Sequence, residues 1–245
     1  MTRALFLVFA LAVATAPASA QTADAFSRRQ AFQHYRNGQE LMSAELFEKA
    51  ALEFSAAVKL DPLLTLAHYG LGQAYVAQKR FASAIQAFRG CRDAFGAIFD
   101  LRQRDAVAID RRIDEEIREL QQMVSAVRGN RFKGFGETYA ARLEARIEEL
   151  ERMRSPTAGR FETPAEVSLA LGSAYFRNGD AADAEREWKA AVEVNPRLGE
   201  AHNNLAALYA MSGRKREAED AVRAAERAGF RVHPQLKEDI RRLST

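Results

Sequence analysis

Small and apolar residues in the segment 165–198 recur at the spacing of two short amphipathic helices. Each half of the segment has one such face: Leu171, Gly172 and Tyr175, then Ala184, Trp188 and Ala191. The run from Asn178 to Asp180 predicts a turn between the helices, and Asn195-Pro196 predicts the end of the second. A helix pair of this size cannot bury both faces alone, so the pattern predicts neighbouring pairs of the same kind.

The pattern occurs at three other places, which gives 34-residue units at 31–64, 65–98, 165–198 and 199–232. In each unit a small residue, an alanine and a larger residue take equivalent places: Gly38, Ala50 and Phe54; Gly72, Ala84 and Phe88; Gly172, Ala184 and Trp188; Ala206, Ala218 and Val222. Small side chains let two helices approach closely, and the larger one fills the space between layers. The pattern therefore predicts that Trp188 is deeply buried.

This unit resembles the tetratricopeptide repeat family, whose 34-residue units have a small eighth residue, a large eleventh and twenty-fourth residue and alanine at the twentieth. The resemblance implies an all-α solenoid of helical hairpins, with an inner groove lined by the first helix of each pair. It also implies that a protein or peptide partner faces the fifth and ninth positions of each unit. These positions are Tyr35 and Gln39, Tyr69 and Gln73, Leu169 and Ser173, and Asn203 and Ala207.

The residues of each such pair stand four apart and share one helix face, so each pair is able to line a common surface. The alternative is that they only fill the gap between helices. Tyr35 and Tyr69, one unit apart, are expected to make the main contact with a partner. The lysine and asparagine clamp with which some family members hold a C-terminal carboxylate is missing at these positions, so that activity is not expected.

The repeats of residues 31–98 are followed by an interruption, residues 99–162. Residues 98–127 contain no proline or glycine, and their apolar residues alternate steps of four and three, which predicts one helix of about 45 Å. A second stretch, Tyr139 to Leu150, has the same spacing. Together they predict a long antiparallel, coiled-coil-like helical hairpin inserted into the solenoid.

The loop between the two hairpin helices combines cations and aromatic rings: Arg128, Arg131, Phe132, Lys133 and Phe135. Exposed aromatic rings beside cations suit an acidic protein surface or anionic lipid headgroups. The alternative is that both rings fold back and close the end of the hairpin. The hairpin tip is therefore a second candidate contact site.

The second block of repeats, residues 163–232, begins with a capping-box pattern at Thr163, Pro164 and Glu166. Residues 233–245 predict one more short helix, which would cap the end of the solenoid.

Residues 1–20 are typical of a secretory signal peptide. Arg3 gives a charged start, Ala4 to Ala16 form an apolar run of thirteen residues, and the segment finishes with an A-x-A end at Ala20. The run is shorter than the roughly 20 residues that span a bilayer, which disfavours the alternative of a retained anchor. We expect a protein exported to the periplasm, with residues 21–30 as a polar lead before the first repeat.

Nothing in the composition favours catalysis. The formal net charge is +3 with both signs mixed, which disfavours nucleic-acid binding. Cys91 falls on a small packing position, with a reactive thiol as the alternative, and His34, His68 and His202 lack the spacing of a metal site. We expect no cofactor. The favoured function is an exported, non-enzymatic scaffold for a protein or peptide partner, and the alternative is a structural protein that self-assembles through the inserted hairpin.

Overall fold

The computed structural model describes residues 23–129, 136–154 and 162–243. Within these residues the chain forms helices and no strand. The helices are α1 (Ala25–Ser43), α2 (Phe47–Leu60), α3 (Thr65–Ala77), α4 (Phe81–Arg104), α5 (Ala106–Arg128), α6 (Glu137–Arg154), α7 (Ala165–Asn178), α8 (Ala181–Val194), α9 (Gly199–Met211), α10 (Lys215–Arg227) and α11 (Pro234–Arg242). The predicted signal peptide lies outside the described residues. No described helix is both long and apolar enough to cross a membrane.

Four consecutive helix pairs stack in chain order. α1 packs with α2, α3 with α4, α7 with α8 and α9 with α10, and the second helix of each pair contacts the first helix of the next. The stacking continues across the interruption, because α7 packs directly against α4. Arg92 of α4 also pairs with Glu187 of α8 at 3.1 Å. The predicted all-α solenoid of helix pairs is confirmed.

Close packing within the first three pairs depends on a glycine that faces an aromatic ring. A Cβ atom added at Gly72 would lie 2.5 Å from the Phe88 ring, and one added at Gly172 would lie 2.6 Å from the Trp188 ring. Distances this short leave no room for a larger side chain, so the eighth residue of these units has to be small. Trp188 is 2% exposed, which confirms its predicted burial.

The prediction of one uninterrupted helix over residues 98–127 is wrong. α4 continues to Arg104 and α5 starts at Ala106. Between them Asp105 has a non-helical backbone (φ −146°, ψ 82°), and its carboxylate accepts a hydrogen bond from the Ala108 amide at 3.0 Å. An aspartate can supply this N-cap geometry without a neighbouring proline or glycine. The break allows α5 to lie against the first two helix pairs.

α5 and α6 run antiparallel. Near the end of α5, Arg128 pairs with Glu144 in the first half of α6 at 3.0 Å, whereas Glu116 in the middle of α5 pairs with Arg146 at 3.1 Å. Positions along α6 therefore rise as positions along α5 fall, which is the register of a hairpin. The coiled-coil character of this hairpin stays a prediction.

The start of α1 also differs from its predicted place. The helix begins at Ala25, inside the predicted polar lead of residues 21–30, because the Asp24 carboxylate caps it by accepting from the Ser27 amide at 2.8 Å. α1 is therefore longer at its start than the repeat pattern requires. The extra turn carries Arg28, which pairs with Glu115 of α5 at 2.7 Å.

The first helix of the second block, α7, begins at Ala165, two residues after the predicted start of the block at Thr163. Its predicted capping box is not formed, because Pro164 stands at the N-cap position and no side-chain hydrogen bond caps this end. At the other end, α11 packs on α9 and α10 with Ile240 buried, in the place predicted for a capping helix.

Candidate partner-binding surface

The first helices of the four pairs present equivalent residues on one face. Positions two, five and nine of each unit are spaced i, i+3 and i+7, so they share a side of the helix. We call this set the A-stripe: Phe32, Tyr35 and Gln39; Leu66, Tyr69 and Gln73; Glu166, Leu169 and Ser173; Glu200, Asn203 and Ala207. The family resemblance implies positions five and nine, and the structure adds position two.

The hairpin of α5 and α6 covers the start of the A-stripe. Phe32 and Tyr35 are buried and belong to the same apolar cluster as many hairpin residues. The hairpin members of that cluster are Ile109, Ile113, Ile117, Leu120, Met123, Val124, Leu143 and Leu150. The apolar seam predicted for the hairpin is therefore buried in the core of the first two helix pairs.

A buried ion pair and a buried hydrogen bond hold the hairpin in this place. Arg112 of α5 pairs with Asp61, in the turn before α3, at 2.6 Å, and both side chains are almost fully buried. Arg146 of α6 donates to the Thr65 hydroxyl at the start of α3 at 3.0 Å and lies 5.2 Å from the centroid of the Phe95 ring. These contacts join both hairpin helices to α3, α4 and the turn before α3.

Arg146 also carries its charge inside this interface. Burial opposes ionisation, but the carboxylates of Glu116 and Glu149 outweigh it and raise the pKa of Arg146. Removing one partner from a buried pair of this kind leaves an uncompensated charge, which costs about 3–5 kcal/mol. The hairpin is thus fixed by both apolar packing and charge.

Tyr35 is not available to a partner in this structure, contrary to the expectation that it makes a main contact. Its side chain is 3% exposed and packs on Phe32 and Phe54, with ring centroids 5.5 and 5.9 Å away. Burial raises the pKa of Tyr35 to about 12, and Tyr139 of α6 lies near enough to affect it. Gln39, the other predicted residue of this unit, is half-buried.

The rest of the A-stripe is open. Gln73 is exposed, while Tyr69, Leu169, Ser173, Asn203 and Ala207 are half-buried. The Ser173 hydroxyl donates to the Leu169 carbonyl at 2.9 Å, and the Trp188 indole N–H donates to the same carbonyl at 3.3 Å. We call Tyr69 and Gln73 of α3, together with the A-stripe residues of α7 and α9, the open half.

Two carboxylates of the last two units lie close enough to the tyrosine of the open half to affect its pKa. Glu166 and Glu200 are exposed in the first turns of α7 and α9. Burial raises the pKa of Tyr69 to about 12, with smaller contributions in the same direction from Cys91, Glu166 and Glu200, while Arg142 of α6 acts in the opposite direction. Charged residues of three helices, α6, α7 and α9, therefore act on this phenol.

The predicted hairpin tip is described only at its edge. Arg128 lies half-exposed and pairs with Glu137 at 3.2 Å and with Glu144 at 3.0 Å. The other predicted tip residues, Arg131, Phe132, Lys133 and Phe135, lie outside the described residues. The contact role of the tip stays a prediction.

Cys91 packs in the core, and His68 and His202 stabilise the turns that precede their helices. Cys91 is 1% exposed, its thiol donates to the Thr65 carbonyl at 3.4 Å, and burial raises its pKa to about 12. The ring Nε2 of His68 lies 2.9 Å from the Pro62 carbonyl, and His202 makes the equivalent bond to the proline that closes its preceding unit, at 3.0 Å. In the described part of the chain, no group of three or more histidine, cysteine or acidic residues is placed to hold a metal ion.

Comparison with known proteins gives one informative match. A family model described as tetratricopeptide repeat matches residues 35–96 and 169–229, which together are half of the chain. The two matched segments leave out the hairpin of α5 and α6. No curated protein matches.

The solved structures that match this chain have low sequence identity to it and low TM-scores. YrrB, a TPR protein described as having an unusual peptide-binding site, is 17% identical, with 91% of this chain and 100% of YrrB covered and a TM-score of 0.30. MamA is 15% identical, with coverages of 78% and 94% and a TM-score of 0.28. TTC0263, a thermophilic TPR protein of Thermus thermophilus, is 19% identical, with coverages of 86% and 97% and a TM-score of 0.27. Values this low carry no argument about the partner of this chain.

Proposed function

Because the chain belongs to the tetratricopeptide repeat family, we propose that it is a non-enzymatic scaffold that binds a protein or peptide partner through the open half of the A-stripe. The contact residues are Tyr69, Gln73, Leu169, Ser173 and Asn203. Stacked helical repeats form extended surfaces that act in binding. Export after removal of residues 1–20 is part of the proposal, and its support is the signal-peptide pattern of the sequence.

The observation that carries this proposal is the division of the A-stripe by the hairpin. The first unit is filled by the chain's own apolar residues, with Phe32 and Tyr35 buried. The open half offers a partly exposed tyrosine and polar side chains instead. Tyrosine combines a large rigid face with a hydroxyl, and such residues are enriched at interaction hot spots.

The test begins with affinity capture from envelope extracts, followed by purification of the captured protein. Its affinity is then measured for the mature wild-type chain and for a variant with Gln73→Arg and Asn203→Arg, which places two large cations in the open half. We expect at least a tenfold loss, about 1.4 kcal/mol. Gln86→Arg is the matched control, because Gln86 is exposed on α4 outside the A-stripe. Equal affinity of all three proteins would place the binding site elsewhere.

Export is tested separately by N-terminal sequencing of the protein recovered from the cell envelope. A chain that starts at Gln21 supports cleavage after Ala20. An intact Met1 on protein that remains in the cytoplasm would contradict it.

A further inference from the structure

The second position of each unit is apolar in the first two units, beside the hairpin, and acidic in the last two. Phe32 is buried and Leu66 is partly buried, and both pack in the cluster that contains the hairpin. The equivalent residues of the last two units are Glu166 and Glu200, which are exposed and form no ion pair with a described residue. Position two is thus apolar in the two units that pack against the hairpin, and acidic in the last two units, where it is exposed.

The hairpin itself provides an internal example of how this face is occupied. Two of its arginines reach the edge of α3 where that helix begins, since Arg112 pairs with Asp61 and Arg146 donates to Thr65. The apolar residues of the hairpin pack beside them, on Phe32 and Tyr35 among others. A helical occupant that combines arginines with apolar residues is therefore compatible with this type of surface.

The open half has the complementary features for an occupant of the same kind. Glu166 and Glu200 lie in the first turns of α7 and α9, the edge that corresponds to Thr65 at the start of α3. Tyr69 and Leu169 offer partly exposed apolar surface one helical turn further along. Both glutamates are exposed and form no ion pair with a described residue, so their carboxylates can accept a cation from a partner.

We infer that the open half of the A-stripe binds a basic amphipathic helix of a partner protein, with lysine or arginine side chains on Glu166 and Glu200 and apolar side chains on Tyr69 and Leu169. This inference rests on the proposed function and specifies the chemistry of its partner. Helix-in-groove binding of an amphipathic segment is an established mode of peptide recognition. Charge complementarity at the edge sets which helices are accepted.

A glutamate in the first turn of a helix also stabilises that helix through the macrodipole. The control variant therefore has to share this effect. Glu48 and Asp183 stand in the first turns of α2 and α8, the second helices of their pairs, outside the A-stripe. Neutralising them removes the same number of charges from the first turns of two helices, and in addition breaks the pair of Asp183 with Arg186.

The probe is a display library of helical peptides with one randomised face, selected on the mature wild-type protein. We expect the selected peptides to be enriched in lysine and arginine. Glu166→Gln with Glu200→Gln should weaken their binding at least tenfold, and Glu48→Gln with Asp183→Asn should not. Circular dichroism and thermal melting confirm that each variant is folded.

The outcomes separate the two proposals. Peptides without basic enrichment, or basic peptides that tolerate Glu166→Gln with Glu200→Gln, overturn the inference. If such peptides still lose binding to the variant with Gln73→Arg and Asn203→Arg, the open half remains the binding surface and only its preference is wrong. Peptides that tolerate both sets of substitutions contradict the binding surface as well.

Discussion

At the residue scale, the size of one side chain sets the size of another across each helix pair. The first three units combine a glycine with an aromatic residue, as in Gly172 and Trp188, where a Cβ atom would come within 2.6 Å of the ring. The fourth unit combines Ala206 with Val222. A larger eighth residue is thus accompanied by a smaller partner, as close packing requires. This pairing could be predicted from the sequence, because both residues lie within one unit.

The pairing predicts that Gly172→Ala destabilises the protein. Overpacking against the Trp188 ring costs about 1–3 kcal/mol, and the better helix propensity of alanine returns up to about 1 kcal/mol. Urea denaturation should therefore show a net decrease in the free energy of unfolding. Trp188→Val should cost less in the Gly172→Ala background than in the wild type, because it recreates the combination of the fourth unit. An unchanged midpoint for Gly172→Ala would contradict this account.

Cys91 is predicted to be unreactive in the native state. Burial raises its pKa to about 12, so the neutral thiol persists at pH values where an unfolded cysteine, with a pKa near 8.5, already ionises. Labelling with a thiol reagent at pH 8 should be at least tenfold slower in native buffer than in denaturant. The folded state binds the thiol proton more tightly, so Cys91 stabilises the fold fully below about pH 8.5 and progressively less as pH rises toward 12. Equal labelling rates would show an accessible thiol.

At the element scale, the break between α4 and α5 decides where the hairpin lies. The sequence predicted the boundaries of the repeats from their period, but it had no proline or glycine to mark this break. The residue that marks the break is Asp105, whose side chain caps the start of α5. Aspartates at exposed positions of helices are common, so one aspartate in a charged stretch does not identify a cap without the backbone geometry.

We predict that Asp105→Ala lowers the free energy of unfolding by about 1 kcal/mol, as loss of an N-cap does. Asp105→Asn should keep most of the stability, because its side-chain oxygen can still accept from the Ala108 amide. Asp100→Ala, at an exposed position inside α4, is the control and should have little effect. The measurement is thermal melting followed by circular dichroism. Equal melting temperatures for Asp105→Ala and Asp100→Ala would mean that the cap contributes nothing.

At the scale of the whole molecule, the hairpin is a part of the solenoid core. Its apolar spacing predicts a seam between the two hairpin helices, yet Ile113 and Leu120 share a buried cluster with Phe32 and Tyr35. Packing within the hairpin and packing against the first two helix pairs give the same apolar periodicity, because that periodicity depends on the helix and not on what covers it. For this reason the sequence predicted the open residues of the candidate site, such as Gln73, but not the burial of Tyr35.

The same arrangement gives a prediction about self-association. Since the apolar face of the hairpin is buried, the mature wild-type protein should keep one mass in light scattering as its concentration is raised. Arg146→Met should change this, because it leaves Glu116 buried without its cation, loosens the hairpin and exposes that face. A mass that grows with concentration is expected for this variant. Arg128→Met is the matched control, since the ion pairs of Arg128 are exposed and worth at most about 1 kcal/mol. A wild-type mass that itself rises with concentration would favour the alternative of a self-assembling structural protein.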